Sequence, residues 1–96
     1  MPQFLILADD YKDIDALSRR LSVHEIHLER MRIEKAAGRF ITGGAKLNEQ
    51  GKIHGSMLIV QLENEAAIKE WVNEDPYITG NVWEHVEIFP FRVAEV

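Results

Sequence analysis

Six stretches of alternating character, in the order strand, helix, strand, strand, helix, strand, predict an α+β fold of the split, ferredoxin-like βαββαβ kind. Two further observations support it. The first and third strand stretches, Phe4–Ala8 and Ser56–Leu62, are the unbroken apolar runs, and this topology places those two strands centrally. The chain has 96 residues, enough for one domain and too few for two, so 1–96 is read as a single domain.

Each element has a local reason. Phe4–Ala8 is continuously apolar, as a centrally placed strand would be, and the polar stretch Asp9–Asp15 ends it. A helix is expected from about Ile14 to Ala37, in two parts. Ser22 with Glu25 three residues on is a capping-box pattern that would start the main part. Gly38 stops it, with Lys35 placed near its negative end. Arg39–Ala45 reads as a short strand weakened by Gly43 and Gly44, and Asn48–Lys52 as a turn. After Ser56–Leu62, Asn64 caps a second helix whose stripe is Ala67, Ile68, Trp71 and Val72. Pro76 ends that helix, and Asp75 before it reads as terminal punctuation, at an end where the helix dipole disfavours an acid. In Val82–Phe91, strict alternation sends Val82, Glu84, Val86 and Ile88 one way and Trp83, His85, Glu87 and Phe89 the other. Helices cover one face of the sheet only. A second copy is the simplest cover for the apolar side chains of the other.

Composition excludes several functions. Sixteen acids against eleven bases give a net charge of −5, which argues against a nucleic-acid surface. Without cysteine there is no disulfide framework, thiolate nucleophile or thiolate zinc site. The apolar runs are far too short to span a membrane, and the start lacks the basic region of a signal peptide. A cytoplasmic protein is expected. Neither a phosphate loop, a nucleotide fingerprint nor a Ser–His–Asp order is present, so no cofactor is expected. His24 and His27, three apart on the first helix, would need His54 or His85 to complete a zinc site, and metal is not expected.

Arg20–Leu21–Ser22–Val23, His27–Leu28, Gly38–Arg39, Gly55–Ser56, Asp75–Pro76–Tyr77, Glu84–His85–Val86 and Pro90–Phe91 together resemble the YciI-like (YCII-related) domain family, over about residues 3–92. The resemblance implies a dimeric α+β barrel in which two ferredoxin-like sheets pack face to face. It implies an active-site pair, His27 and Asp75, with Ser56 lining the same pocket. Gly43, Gly44 and Tyr77 are the further candidates for substrate binding. The fold is similar to that of muconolactone isomerase, and some relatives act on chlorinated aromatic breakdown products. This chain departs from the pattern at Gly43–Gly44–Ala45, where many relatives have Gly-Pro, at His24, where Arg is common, and at His54 before Gly55.

An imidazole oriented by a carboxylate accepts a proton near neutral pH. With no nucleophile beside it, the pair suits proton abstraction next to a carbonyl, the first step of lactone isomerisation and of HX elimination. Ser56 and backbone N–H groups near Gly43–Gly44 would serve the developing oxyanion. The expected function is a cofactor-independent lyase or isomerase acting on a small cyclic or aromatic-derived metabolite. The alternatives are a non-catalytic dimer that binds a small acidic or aromatic metabolite, as an accessory subunit would, and a structural dimer in which His27 and Asp75 satisfy each other.

Overall fold

The computed structural model describes residues 1–96. The elements are β1 (Gln3–Asp10), α1 (Ala16–Ala36), β2 (Phe40–Leu47), β3 (Ile53–Gln61), α2 (Glu65–Asn73), α3 (Pro76–Thr79) and β4 (Trp83–Phe91). The four strands form one antiparallel sheet in the order β2-β3-β1-β4, so the two strands with unbroken apolar runs are the central ones. None of the helices is long and apolar enough to cross a membrane.

Alternation along the strands separates two faces. Phe4, Ile6 and Ala8 of β1 and Leu58 and Val60 of β3 are buried under the helices, against Met31, Ile68, Trp71, Val72 and Tyr77. Leu5, Leu7, Met57 and Ile59 lie on the open face in register with one another, and Phe89 of β4 pairs with Leu5 beside them. Gly55 makes a crossing possible there. A Cβ at Gly55 would sit 2.2 Å from the Ala8 carbonyl oxygen and 2.5 Å from the Lys46 side chain. Across that bare position the Lys46 ammonium reaches Asp9 Oδ1 at 2.5 Å.

The structure corrects three expectations, two in the helices and one in a strand. First, α1 is one continuous helix from Ala16. Ser22 lies inside it and donates its hydroxyl to the Arg19 carbonyl at 2.8 Å, a bond back along the helix that leaves no capping box. The C-terminal end matches the reading. Gly38 is left-handed at φ +80°, Arg39 N–H bonds the Glu34 carbonyl, and Gly38 N–H bonds that of Lys35, as in a Schellman ending.

Second, Asp75 does not close a helix; it opens one. Asn64 caps α2 as expected, accepting from Ala67 N–H at 2.8 Å, and α2 ends at Asn73. Asp75 is then the N-cap of α3, accepting from Tyr77 N–H at 2.9 Å with Pro76 in the first turn. The acid therefore caps free N–H groups, and the dipole objection disappears.

Third, strict alternation fails in β4. Asp9 pairs with His85 but Asp10 pairs with Trp83, so Glu84 is the extra residue of a bulge. The bulge turns Trp83 to the helix side, where it is buried, while His85, Glu87 and Phe89 occupy register positions on the open face.

Candidate functional site

The inward face of α1 is polar where a core helix would ordinarily be apolar. Its buried residues are Ala16, Arg20, His27, Met31 and Glu34, whereas Leu17, Leu21, Ile26 and Ile33 are exposed. A helix that buries charge must find partners for it, and each of these groups has them.

His27 Nδ1 lies 2.9 Å from Asp75 Oδ1. Asp75 is 0 % exposed, and three donors surround its carboxylate. Oδ1 accepts from His27 and from Tyr77 N–H, and Oδ2 accepts from Arg30 Nη1 at 2.8 Å. Arg30 is itself anchored, donating to the Trp71 carbonyl at 2.6 Å and lying over the Trp71 ring. A carboxylate can only accept, so the neutral imidazole of His27 carries its hydrogen on Nδ1 and offers a lone pair at Nε2. The ring is held flat against Tyr77, with centroids 4.0 Å apart and planes 11° apart, and edge-on to Trp83.

A second buried pair lies beside the first. Arg20 Nη1 bonds both oxygens of Asp10, at 2.9 and 2.8 Å, and its Nη2 donates to Ser56 Oγ at 2.9 Å. Trp83 Nε1 donates to the same oxygen at 3.1 Å. Two N–H donors occupy the hydroxyl's acceptor capacity, so the Ser56 hydrogen is left to be donated elsewhere. Tyr77 is 1 % exposed, and burial pushes its phenol above its ordinary value, with the Arg20 charge pulling the other way. Further along α1, Glu34 accepts from Arg39 Nε at 3.0 Å and from Trp71 Nε1. The Arg39 bond holds the Glu34 carboxyl below its ordinary value, partly offset by burial.

These elements enclose a cleft of about 210 Å³ between α1 and the β2–β3 side of the sheet. His27, Ser56, Gly43, Gly44 and Tyr77 all line it, together with Arg20, His24 and Leu28. The structure thus brings together the candidates named from the sequence, with one difference of position. Asp75 stands behind His27, away from the cleft wall, where it can orient the ring without meeting a ligand. Gly43 is required by close approach, since a Cβ there would sit 2.5 Å from the Met57 carbonyl oxygen, whereas Gly44 opens onto free space.

Sequence reasoning gave no role to Arg20, Arg30, Asp10 or Trp83. The two arginines left a signal. Arg20, His27 and Arg30 fall at i, i+7 and i+10 and share a helix face. Trp83 left none, because the bulge reverses its side. His54 lines a separate hollow and His85 lies beside Glu87, so neither joins His24 and His27, and no cluster of three metal-ligating side chains forms.

A two-layer α+β domain with a histidine and a buried aspartate behind one small cleft is the class that fold and geometry define. The YCII-related domain family matches residues 3–92, and the chain belongs to that family. Protein YciI of Escherichia coli O6:H1 is 35% identical over 95 residues, covering 93% of this chain and 95% of that protein, and YciI of Shigella flexneri is equally similar. Among solved structures, the fold is similar to 5-chloro-2-hydroxyhydroquinone dehydrochlorinase from Burkholderia phenoliruptrix, in complex with 2,5-dihydroxybenzoquinone. The TM-score is 0.79 at 21% identity, covering 96% of this chain and 95% of that one.

Proposed function

We propose that the chain is a small-molecule enzyme of the lyase or isomerase type, in which His27 is the base and Asp75 orients it. The observation that carries this reading is the 2.9 Å contact between His27 Nδ1 and a fully buried carboxylate, with the other ring nitrogen left to the cleft. His27 Nε2 takes a proton from a carbon next to a carbonyl, and the C–H electrons pass to the carbonyl oxygen as an enolate. Returning the proton at another carbon gives an isomer. Expelling a leaving group with its electron pair gives an elimination. The Ser56 hydroxyl supplies a hydrogen bond to the enolate oxygen. The dehydrochlorinase of similar fold was solved with a dihydroxyquinone, and hydroxylated quinones and small lactones are the class to test first.

The open sheet face completes the proposal. Leu5, Leu7, Met57, Ile59 and Phe89 form an apolar surface across three strands, and Phe89 is 39% exposed. A second copy packed face to face would bury it in both subunits at once.

The direct test is hydrogen–deuterium exchange at carbon, followed by NMR in D₂O with that panel of compounds. The wild-type protein should wash deuterium into one class of carbon acid, and His27→Gln should slow the exchange by about 10²–10⁴-fold. Equal exchange in both proteins would remove His27 as the base. Saturable binding with no exchange would favour the binding or accessory role.

A further inference from the structure

His24 lies one helical turn before His27 on α1 and also lines the cleft. Its Nδ1 is 2.8 Å from the buried Tyr77 hydroxyl, and the Arg20 guanidinium, which also reaches that hydroxyl, can only donate to it. For a neutral pair there are two arrangements. If the phenol accepts from Nδ1–H, its own hydrogen is buried without an acceptor. If the phenol donates to Nδ1, every buried side-chain polar atom is satisfied, as the rest of the structure is. The second arrangement puts the His24 hydrogen on Nε2.

Tyr77 is well held for this task. Its ring stacks on His27, meets Trp83 edge-on at 5.5 Å, and has the Arg20 guanidinium 4.7 Å from its centroid. Burial also keeps the phenol protonated, hence a donor. The two histidines are therefore fixed as opposite tautomers, His27 with a lone pair at Nε2 and His24 with a hydrogen there.

We propose that His24, positioned by Tyr77 as the Nε2–H tautomer, is the cleft's fixed hydrogen-bond donor to the ligand oxygen on which negative charge gathers. It rests on the proton-transfer reading above and deepens it by naming the ligand class: an enolisable carbonyl or hydroxyquinone with one oxygen near His24 and an acidic C–H near His27. No proton need leave His24. The one removed from carbon stays on His27 until it is returned, while His24 and Ser56 donate to the oxygen.

The first experiment reads the tautomers directly, by two-bond proton–nitrogen correlation on ¹⁵N-labelled protein at about pH 8, above the ordinary imidazole range. His24 should be protonated on Nε2 and His27 on Nδ1. In Tyr77→Phe, His24 should become a tautomer mixture while His27 keeps its signal, which also reports that the fold survives. A wild-type His24 protonated on Nδ1, or one unmoved by Tyr77→Phe, overturns the proposal. If Tyr77→Phe does not fold, the wild-type tautomer decides. The second experiment titrates 2,5-dihydroxybenzoquinone. His24→Met should weaken binding by about 10–100-fold, the scale of a hydrogen bond to a charged group. His24→Gln, whose amide nitrogen can stand where Nε2 was, should restore most of it. Wild-type affinity in His24→Met would show that His24 does not donate to the ligand. If the wild type ignores the quinone while His24 carries its hydrogen on Nε2, the proposed ligand class fails and the tautomer assignment stands.

Discussion

Replacing Asp75 by Asn isolates the charge at the centre of the site, because Asn keeps the shape and the helix-capping ability of Asp. The carboxylate now accepts from His27, from Tyr77 N–H and from Arg30. An amide cannot serve all three. With its oxygen toward His27 and Tyr77, its NH₂ faces Arg30 Nη1, donor against donor. Turned over, the NH₂ faces Tyr77 N–H and forces His27 into the tautomer with hydrogen on Nε2. In either orientation Arg30 loses its buried counter-charge. Removing one partner of a buried pair costs about 3–5 kcal/mol. Arg30 is 17% exposed on its side chain and keeps its bond to the Trp71 carbonyl, which points to the lower end, about 3 kcal/mol. In a domain of this length that lowers Tm by about 12–24 °C. Urea unfolding followed by tryptophan fluorescence, at fixed protein concentration, measures it. The double variant Asp75→Asn with Arg30→Met should recover part of the loss, since the stranded cation is then gone. A loss under about 1 kcal/mol, the scale of an exposed ion pair, would refute the reasoning.

Three other outcomes are expected. Ser56→Ala strands the Arg20 and Trp83 donors, and should cost about 1–3 kcal/mol in the same urea assay; an unchanged midpoint would mean the two donors find other acceptors. Glu34 has its folded value depressed by Arg39, so its contribution is full above the ordinary carboxylate value of 4.5 and is lost as pH falls through the lower folded value. Glu34→Gln should therefore flatten the acid limb of a stability–pH profile, and a parallel profile would rule that coupling out. Leu7→Asp places a charge on the open sheet face, and should turn a wild-type dimer into monomers in sedimentation equilibrium; a monomeric wild type, or a dimeric variant, would dismiss the face-to-face assembly.

The order of elements was legible because it rests on local patterns. Apolar runs named the two central strands, and Asn64 and Gly38 marked helix ends through their own backbone chemistry. His27 and Asp75 were legible only through the resemblance to a family. Nothing local links them, since 48 positions separate the two and the pairing is made across the packing of α1 against α3. For the same reason Asp75 read as the end of one helix when it is the cap of the next. Ser22 read as a cap because the pattern is local, yet the inward face of α1 extends the helix back to Ala16 around Arg20 and its partner Asp10.

What the amino-acid sequence determined by itself is the architecture, because strand and helix periodicity and turn chemistry act between near neighbours. The tertiary structure alone decided which ring nitrogen of each cleft histidine is free, which hydroxyl has a hydrogen to give, and which way Trp83 faces. Those properties depend on the partners that burial forces on each polar group, and the partners come from distant parts of the chain.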